Sequence, residues 1–145
     1  MKHTINFLLF IGLIFSLQMT TFGQCKSFTK NECKPKLSPY IYNGQLNSAV
    51  LSEGDVAELL LTFYGGQDYR INICSHETLG KIQFQVFDTE KNLLFDNTKN
   101  DLRNTWDFKS NSTQQLIVRV TVPEEKNRSG MVQNGCVSIL VGFKE

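Results

Sequence analysis

Apolar and polar residues alternate with a period of two along nearly all of the chain after residue 48, the pattern of β-strands with one buried side. The stretch DVAELLLTFY, residues 55–64, has the inward phase Ala57, Leu59, Leu61 and Phe63. Gly65 and Gly66 follow, and glycine tolerates the positive φ of a tight turn. The next stretch, DYRINIC, has the inward phase Tyr69, Ile71 and Ile73. Together the two stretches predict a hairpin.

Five further stretches continue this alternation: KIQFQVFD, LLFD, NTWDFK, QQLIVRVTV and GCVSILVGF. Their predicted inward residues are Ile82, Phe84, Val86, Trp106, Phe108, Leu116, Val118, Val120, Val122, Val137, Ile139, Val141 and Phe143. Helical periodicity is nearly absent, and a helical turn fits only residues 27–33. Residues 124–134 are polar and contain glycine, so we expect a loop there. Seven or eight short strands with turn-rich joints predict an all-β fold, an antiparallel β-sandwich.

The first 23 residues have the layout of a secretory signal peptide. Lys2 supplies a positive charge, residues 5–17 form an apolar core, and small residues at 21 and 23 suit a cleavage site. The apolar core is short for a membrane-spanning helix, which favours cleavage over an uncleaved anchor. Lipid attachment at Cys25 would require a small residue directly before the cysteine, but that residue is Gln24. We therefore expect export, to the periplasm or the extracellular space, and no membrane insertion after cleavage.

Removal of the leader leaves 122 residues, enough for one domain with a core of its own. We divide them into an N-terminal segment, residues 24–44, and a sandwich domain, residues 45–145. The full chain has 15 basic and 14 acidic residues, of which the leader takes only Lys2. The remainder is neutral, which argues against nucleic acid or anionic lipid as the partner.

Four cysteines lie beyond the leader, and an even number in an exported chain indicates two disulfides, with three alternative connectivities. Cys74 and Cys136 both fall in the outward phase of their strands. If those strands are neighbours, the two sulfur atoms project from one sheet surface and can bond across it. We therefore expect a Cys74–Cys136 disulfide. Cys25 and Cys33 would then form a local disulfide within the N-terminal segment.

The order LSEGDVAELLLTFYGGQDYRINIC, then KIQFQVFDTEKNLLFDN, then GCVSILVGF resembles bacterial pre-peptidase C-terminal domains over about residues 45–143. Those domains have a strand that begins after Gly-Asp, a glycine-marked turn and an alternating strand that ends in Asp. The resemblance implies a jelly-roll-like sandwich that is usually appended to secreted enzymes and is not itself catalytic. The acidic residues that often follow the second strand are replaced here by SHETLGK, so no metal role is carried over.

The candidates for catalysis and metal binding are weak. Cys74 and His76 could act as nucleophile and base, but exported thiols oxidise, and a Cys-x-His pair supplies only two zinc ligands. The stretch DNTKND, residues 96–101, offers oxygen ligands for calcium but lacks the required glycine. Paired carboxylates of a hydrolase are not identifiable among Asp55, Glu58, Asp107 and Glu125. We predict no catalytic residue, no metal and no cofactor.

Aromatic residues are the remaining candidates for a binding surface. Most phenylalanines fall in the inward phase and are assigned to the core. Tyr40, Tyr42 and Tyr64 fall in outward phases, so we take them as the candidate surface. The sequence thus favours a secreted, non-catalytic accessory or binding module for a protein or a glycan. The alternatives are an assembly subunit that adds a strand to a partner's sheet and a small carboxylate-dependent hydrolase.

Overall fold

The structure is a computed structural model that describes residues 21–124 and 130–144. The predicted leader lies outside the described residues except for residues 21–23, and the predicted loop at 124–134 lies partly outside them. The described part contains nine strands: β1 (Ile41–Tyr42), β2 (Asn47–Ser52), β3 (Val56–Phe63), β4 (Gln67–Ser75), β5 (Gln83–Asp88), β6 (Leu93–Asp96), β7 (Thr105–Ser110), β8 (Gln114–Thr121) and β9 (Asn134–Lys144). The two that the pattern did not predict, β1 and β2, precede its regular part.

The strands form two antiparallel sheets. In sheet A the order is β2-β9-β4-β7, and the two-residue β1 lies in line with β2 along the same edge of β9. In sheet B the order is β3-β8-β5-β6. Consecutive strands from β2 to β5 alternate between the sheets, β5 and β6 form a hairpin in sheet B, and alternation resumes with β7. This order is that of an eight-stranded jelly roll, which confirms the predicted fold class.

The core lies between the two sheets and is built from the predicted inward residues. Those from sheet B include Leu61, Phe63, Phe84, Val86, Leu116, Val118 and Val120, and those from sheet A include Tyr69, Ile71, Ile73, Val137, Ile139 and Val141. Trp106 and Phe108 on β7 extend this core as a stack, with ring centroids 4.3 Å apart. Burial of these side chains is the main term that stabilises the sandwich.

A third, helical layer covers the outer face of sheet A. Its elements are α1 (Thr21–Phe28), a π-helical turn (Thr29–Cys33) and a 3-10 turn (Lys34–Leu37). The predicted helical turn at residues 27–33 is therefore present and belongs to a longer helical segment. Beneath it Leu140, Ser138 and Asn72 are all at least 97% buried. The alternation assigns these three positions on β4 and β9 to the outward phase, but the helical layer buries them.

The disulfides differ from the predicted pairs. Cys25 is bonded to Cys136 and Cys33 to Cys74, so the predicted Cys74–Cys136 and local Cys25–Cys33 bonds are both corrected. The condition for the predicted bond is met, since β4 and β9 are neighbours, but Cys74 lies opposite Ser138, not Cys136. Eight residues of helix would separate the Cα atoms of Cys25 and Cys33 by about 12 Å, beyond the reach of a disulfide.

Each disulfide instead joins the helical layer to a central strand of sheet A. The closed loops span 41 and 111 residues. In the chain-entropy model, loops of this length correspond to about 4 to 5 kcal/mol of stabilisation per bond. The two disulfides therefore fix the layer to sheet A.

Candidate functional site

The structure offers no thiol chemistry in its described part, because all four cysteines are in disulfides. Cys74 is 98% buried and bonded to Cys33, so it cannot serve as a nucleophile beside His76. The His76 ring is exposed, and its Nδ1 lies 3.0 Å from the Thr78 hydroxyl at the start of a 3-10 turn. This histidine stabilises a turn at the end of β4.

Among residues 21–124 and 130–144, every carboxyl group with a shifted pKa has its pKa lowered. Two hydrogen bonds of 2.7 Å from Arg70 hold the pKa of Asp107 below its ordinary value. A hydrogen bond from Arg119 lowers the pKa of Glu58, and turn hydrogen bonds from Asn92 and Thr98 do the same for Asp88 and Asp96. A general acid needs a raised pKa. These carboxylates are paired structural anions.

The stretch DNTKND has a structural role. Asn97 is fully buried: its Oδ1 accepts a hydrogen bond from the Phe84 amide, and its Nδ2 donates to the Ile82 carbonyl. Asp96 caps the short turn by accepting from the Thr98 amide at 2.9 Å. No group of three or more His, Cys, Asp or Glu side chains that could hold a metal ion occurs within residues 21–124 and 130–144.

The three candidate tyrosines have different surroundings. Tyr40 lies against the outer face of sheet A, with the Arg70 guanidinium 4.5 Å and the Lys144 ammonium 4.3 Å from its ring centroid. Tyr42 is half-buried at the helical layer, and its hydroxyl donates to the Gln45 carbonyl at 2.6 Å. Tyr64 is 64% exposed at the β3–β4 turn. Burial raises the pKa of both Tyr40 and Tyr42. Whether any of the three binds a partner stays a prediction.

The outer face of sheet B, here called the open face, is not covered by any described element. An apolar row crosses it from strand to strand, because Leu60 on β3 is paired with Ile117 on β8, and Ile117 with Phe87 on β5. Leu93 on β6 occupies the register position beside Phe87. Leu60 is 53% exposed and Leu93 44% exposed, whereas Ile117 and Phe87 are half-buried.

A row of polar side chains that pair with one another runs beside the apolar row. Glu58 is paired with Arg119 at 2.6 Å, and Gln85 donates to Asp96 at 3.0 Å. The Arg119 guanidinium also lies 4.7 Å from the Phe87 ring centroid. The open face thus has an apolar centre beside polar side chains that are paired with one another. Its sequence signal is one apolar residue in the outward phase of each of β3, β8 and β5, which neither the candidate tyrosines nor the catalytic motifs include.

One side of the sandwich has two unpaired strand edges. In the described part of the chain β2 pairs only with β9, and β3 only with β8. A groove of about 270 Å³ lies between these edges, and its apolar lining includes Leu46, Ala49, Leu51, Leu59, Val137 and Ile139. The six residues of β2 include no charge and no proline, the usual protections against edge pairing.

The fold is similar to that of a known binding protein. The crystal structure of Aeromonas hydrophila PliG, a periplasmic lysozyme inhibitor of g-type lysozyme, matches with a TM-score of 0.50 and 13% sequence identity. The match covers 73% of this chain and 89% of that chain. At this identity it shows a shared fold. No family model and no curated protein sequence matches the chain. No helix in the described residues has the length and apolar character to cross a membrane.

Proposed function

We propose that the exported protein is a non-catalytic binding module that recognises a protein through the open face. The observation that carries this proposal is the uncovered apolar row Leu60–Ile117–Phe87–Leu93. On sheet A, in contrast, the helical layer covers the centre of the outer face. Four strands at a spacing of about 4.8 Å make the row about 14 Å wide. A shallow apolar strip beside paired charges fits a protein partner, whereas small ligands favour deep pockets.

Three further observations support a binding role. The cysteines are all in disulfides, the shifted carboxylates are all stabilised as anions, and the fold is shared with a protein inhibitor. The disulfides also suit the oxidising periplasm or extracellular space. Because the similar structure is an inhibitor of g-type lysozyme, such a lysozyme is the first partner to test. The relationship to pre-peptidase C-terminal domains stays a prediction.

The test is binding and inhibition by the oxidised protein that lacks residues 1–23. We expect retention of one envelope or secreted protein on the immobilised protein, and inhibition of a g-type lysozyme if that enzyme is the partner. Leu60→Gln should weaken binding about tenfold, since it removes an apolar side chain from the interface centre. Val50→Gln is the matched control, because Val50 is 52% exposed on a strand of the other sheet. Equal effects of both substitutions would exclude the open face.

A second candidate function is assembly by strand addition at the β2–β3 side. It is favoured by the uncharged edge of β2 and by the apolar groove beside it, which can accept alternate side chains of an added strand. Ala49→Lys places a charge at this groove and should abolish such pairing. Val50→Lys, on the opposite face of the same strand, is its control. Size-exclusion chromatography that shows a monomer at all concentrations, together with unchanged partner binding by Ala49→Lys, would exclude this function.

A further inference from the structure

The chain beyond residue 23 has no net charge, but its two layers carry net charges of opposite sign. Residues 24–37 contain four lysines (Lys26, Lys30, Lys34 and Lys36) and one acidic residue, Glu32, for a net charge of +3. Since the chain beyond residue 23 is neutral, residues 38–145 carry a net charge of −3. The helical layer is therefore a basic surface, and the sandwich beneath it is acidic. The net charge is the sum over both regions, so it reveals neither the basic surface nor the acidic one.

The four lysines are held on a rigid base. Lys26 follows Cys25 and Lys34 follows Cys33, so each is next to a disulfide that fixes the layer to sheet A. All four side chains are exposed. The ion pairs found within 4.0 Å in residues 21–124 and 130–144 are Arg70–Asp107, Lys91–Glu58 and Arg119–Glu58, so none of them involves these lysines. Lys36 Nζ lies 3.8 Å from Cys74 Sγ, and Lys34 Nζ lies 5.6 Å from the Tyr42 ring centroid. Neither contact neutralises the positive charge, which is therefore available to an external anion.

A hollow of about 370 Å³ lies at the C-terminal end of this layer. It is lined by Lys30, Lys34, Pro35, Ser38, Pro39 and Tyr40, and this lining contains no carboxylate. Lys144 adds a further positive charge, 4.3 Å from the Tyr40 ring centroid. Arg70 lies over the same ring, but its charge is already paired with Asp107. The hollow therefore combines two lysine ammonium groups with the apolar surfaces of two prolines and an aromatic residue.

We propose that the helical layer binds an acidic glycan, with sugar carboxylates at Lys30 and Lys34 and one sugar unit in the hollow. Charge complementarity selects an anion. The volume is at the lower end of the range for small-ligand sites, about 300 to 1,000 Å³, which suits one sugar unit better than an extended protein surface. The proline and tyrosine surfaces can contact the apolar face of a sugar ring.

This surface and the open face are on opposite sides of the sandwich. The helical layer covers the outer face of sheet A, and the apolar row crosses the outer face of sheet B. Glycan binding would therefore hold the protein on an acidic polysaccharide while leaving the open face accessible to its protein partner. The glycan site does not depend on the proposed function, since it uses different residues.

The experiment measures binding of the oxidised protein to polygalacturonate, a linear polymer of carboxylated sugars, by calorimetry at low and at physiological salt. Neutral dextran, polyglutamate and single-stranded DNA serve as comparisons. We expect binding to polygalacturonate that weakens with added salt, no binding to dextran, and weaker binding to the other two polyanions. Lys30→Gln/Lys34→Gln should weaken binding about tenfold, as expected for the loss of two surface ion pairs.

The matched control is Lys81→Gln/Lys99→Gln, which removes the same charge from exposed positions on the sandwich. We expect it to change the affinity for polygalacturonate by less than about twofold. An equal loss in both double variants, or no binding to polygalacturonate at low salt, would overturn the proposal. If polyglutamate or DNA binds as strongly as polygalacturonate, the proposed preference for glycans is wrong, and the layer binds acidic polymers in general. Retention of the protein partner by Lys30→Gln/Lys34→Gln would separate this site from the open face.

Discussion

The hydroxyl of Thr29 in the helical layer lies 2.7 Å from the hydroxyl of Ser138 on β9, and both side chains are buried. Thr29 donates its proton to the Cys25 carbonyl at 2.7 Å, so Ser138 donates to Thr29. This pair joins the layer to the sheet where the two disulfides also join it. The layer is thus attached by covalent bonds, by a buried hydrogen bond and by the apolar contacts of Leu37 and Leu140.

Thr29→Val should lower the free energy of unfolding by about 1 to 2 kcal/mol, because it leaves the Ser138 hydroxyl buried without its acceptor. Ser138→Ala should lower the free energy of unfolding by less, since Thr29 keeps its hydrogen bond to the Cys25 carbonyl. In urea unfolding, the double variant should lose less stability than the sum of the two single variants. Strict additivity would contradict a direct hydrogen bond between the two hydroxyls.

Peptide mapping under non-reducing conditions should recover Cys25 joined to Cys136 and Cys33 joined to Cys74. Replacing Cys33 and Cys74 together by alanine should lower the free energy of unfolding by about 4 kcal/mol in the chain-entropy model. The reduced protein should also bind a hydrophobic dye, because release of the layer exposes Leu140. A peptide that joins Cys74 to Cys136 would refute this arrangement.

Asn72→Leu should stabilise the protein. Asn72 is 97% buried beneath the layer, and its Oδ1 has no hydrogen-bond partner among the described residues. Replacing a buried, unpaired carbonyl by an apolar group of the same branched shape should raise the free energy of unfolding by about 1 kcal/mol. Asn72→Asp should instead lower it, because a carboxylate at this position would be buried without a partner. Thermal unfolding of the two variants shows whether each change raises or lowers the stability. Destabilisation by Asn72→Leu would contradict this prediction.

The Arg70–Asp107 pair should contribute stability that depends on pH. Arg70 holds the pKa of Asp107 below its unfolded value, so the contribution is present above that value, about 3.9, and is lost as the pH falls through the folded pKa. Because the Asp107 side chain is 44% exposed, we expect less than about 1 kcal/mol. Asp107→Asn should reduce the pH dependence of stability below pH 4, measured by urea unfolding. If the free energy of unfolding of Asp107→Asn depends on pH as strongly as that of the unmodified protein, solvent screens the pair fully.

Much of the sandwich could be predicted from the sequence, whereas the site could be predicted only in part. The outward positions of Leu60, Ile117 and Phe87 follow from the alternation, but their alignment into one row depends on how β3, β8 and β5 pair. Tyr40 was correctly placed outside the core. Its contacts with Lys144 and Arg70 depend on three segments that are far apart in sequence.

Local alternation is enough to predict which side chains of the regular strands face the core, because successive residues of a strand point to opposite faces whatever the strand pairs with. What covers each outer face depends on how distant segments pack. The outward phases of β4 and β9 contain the polar residues Asn72 and Ser138, yet both are buried because the helical layer packs over them. The same packing determines which cysteines are close enough to bond, and it places four lysines on one side of the molecule. Both features depend on distances between segments, which local alternation does not encode.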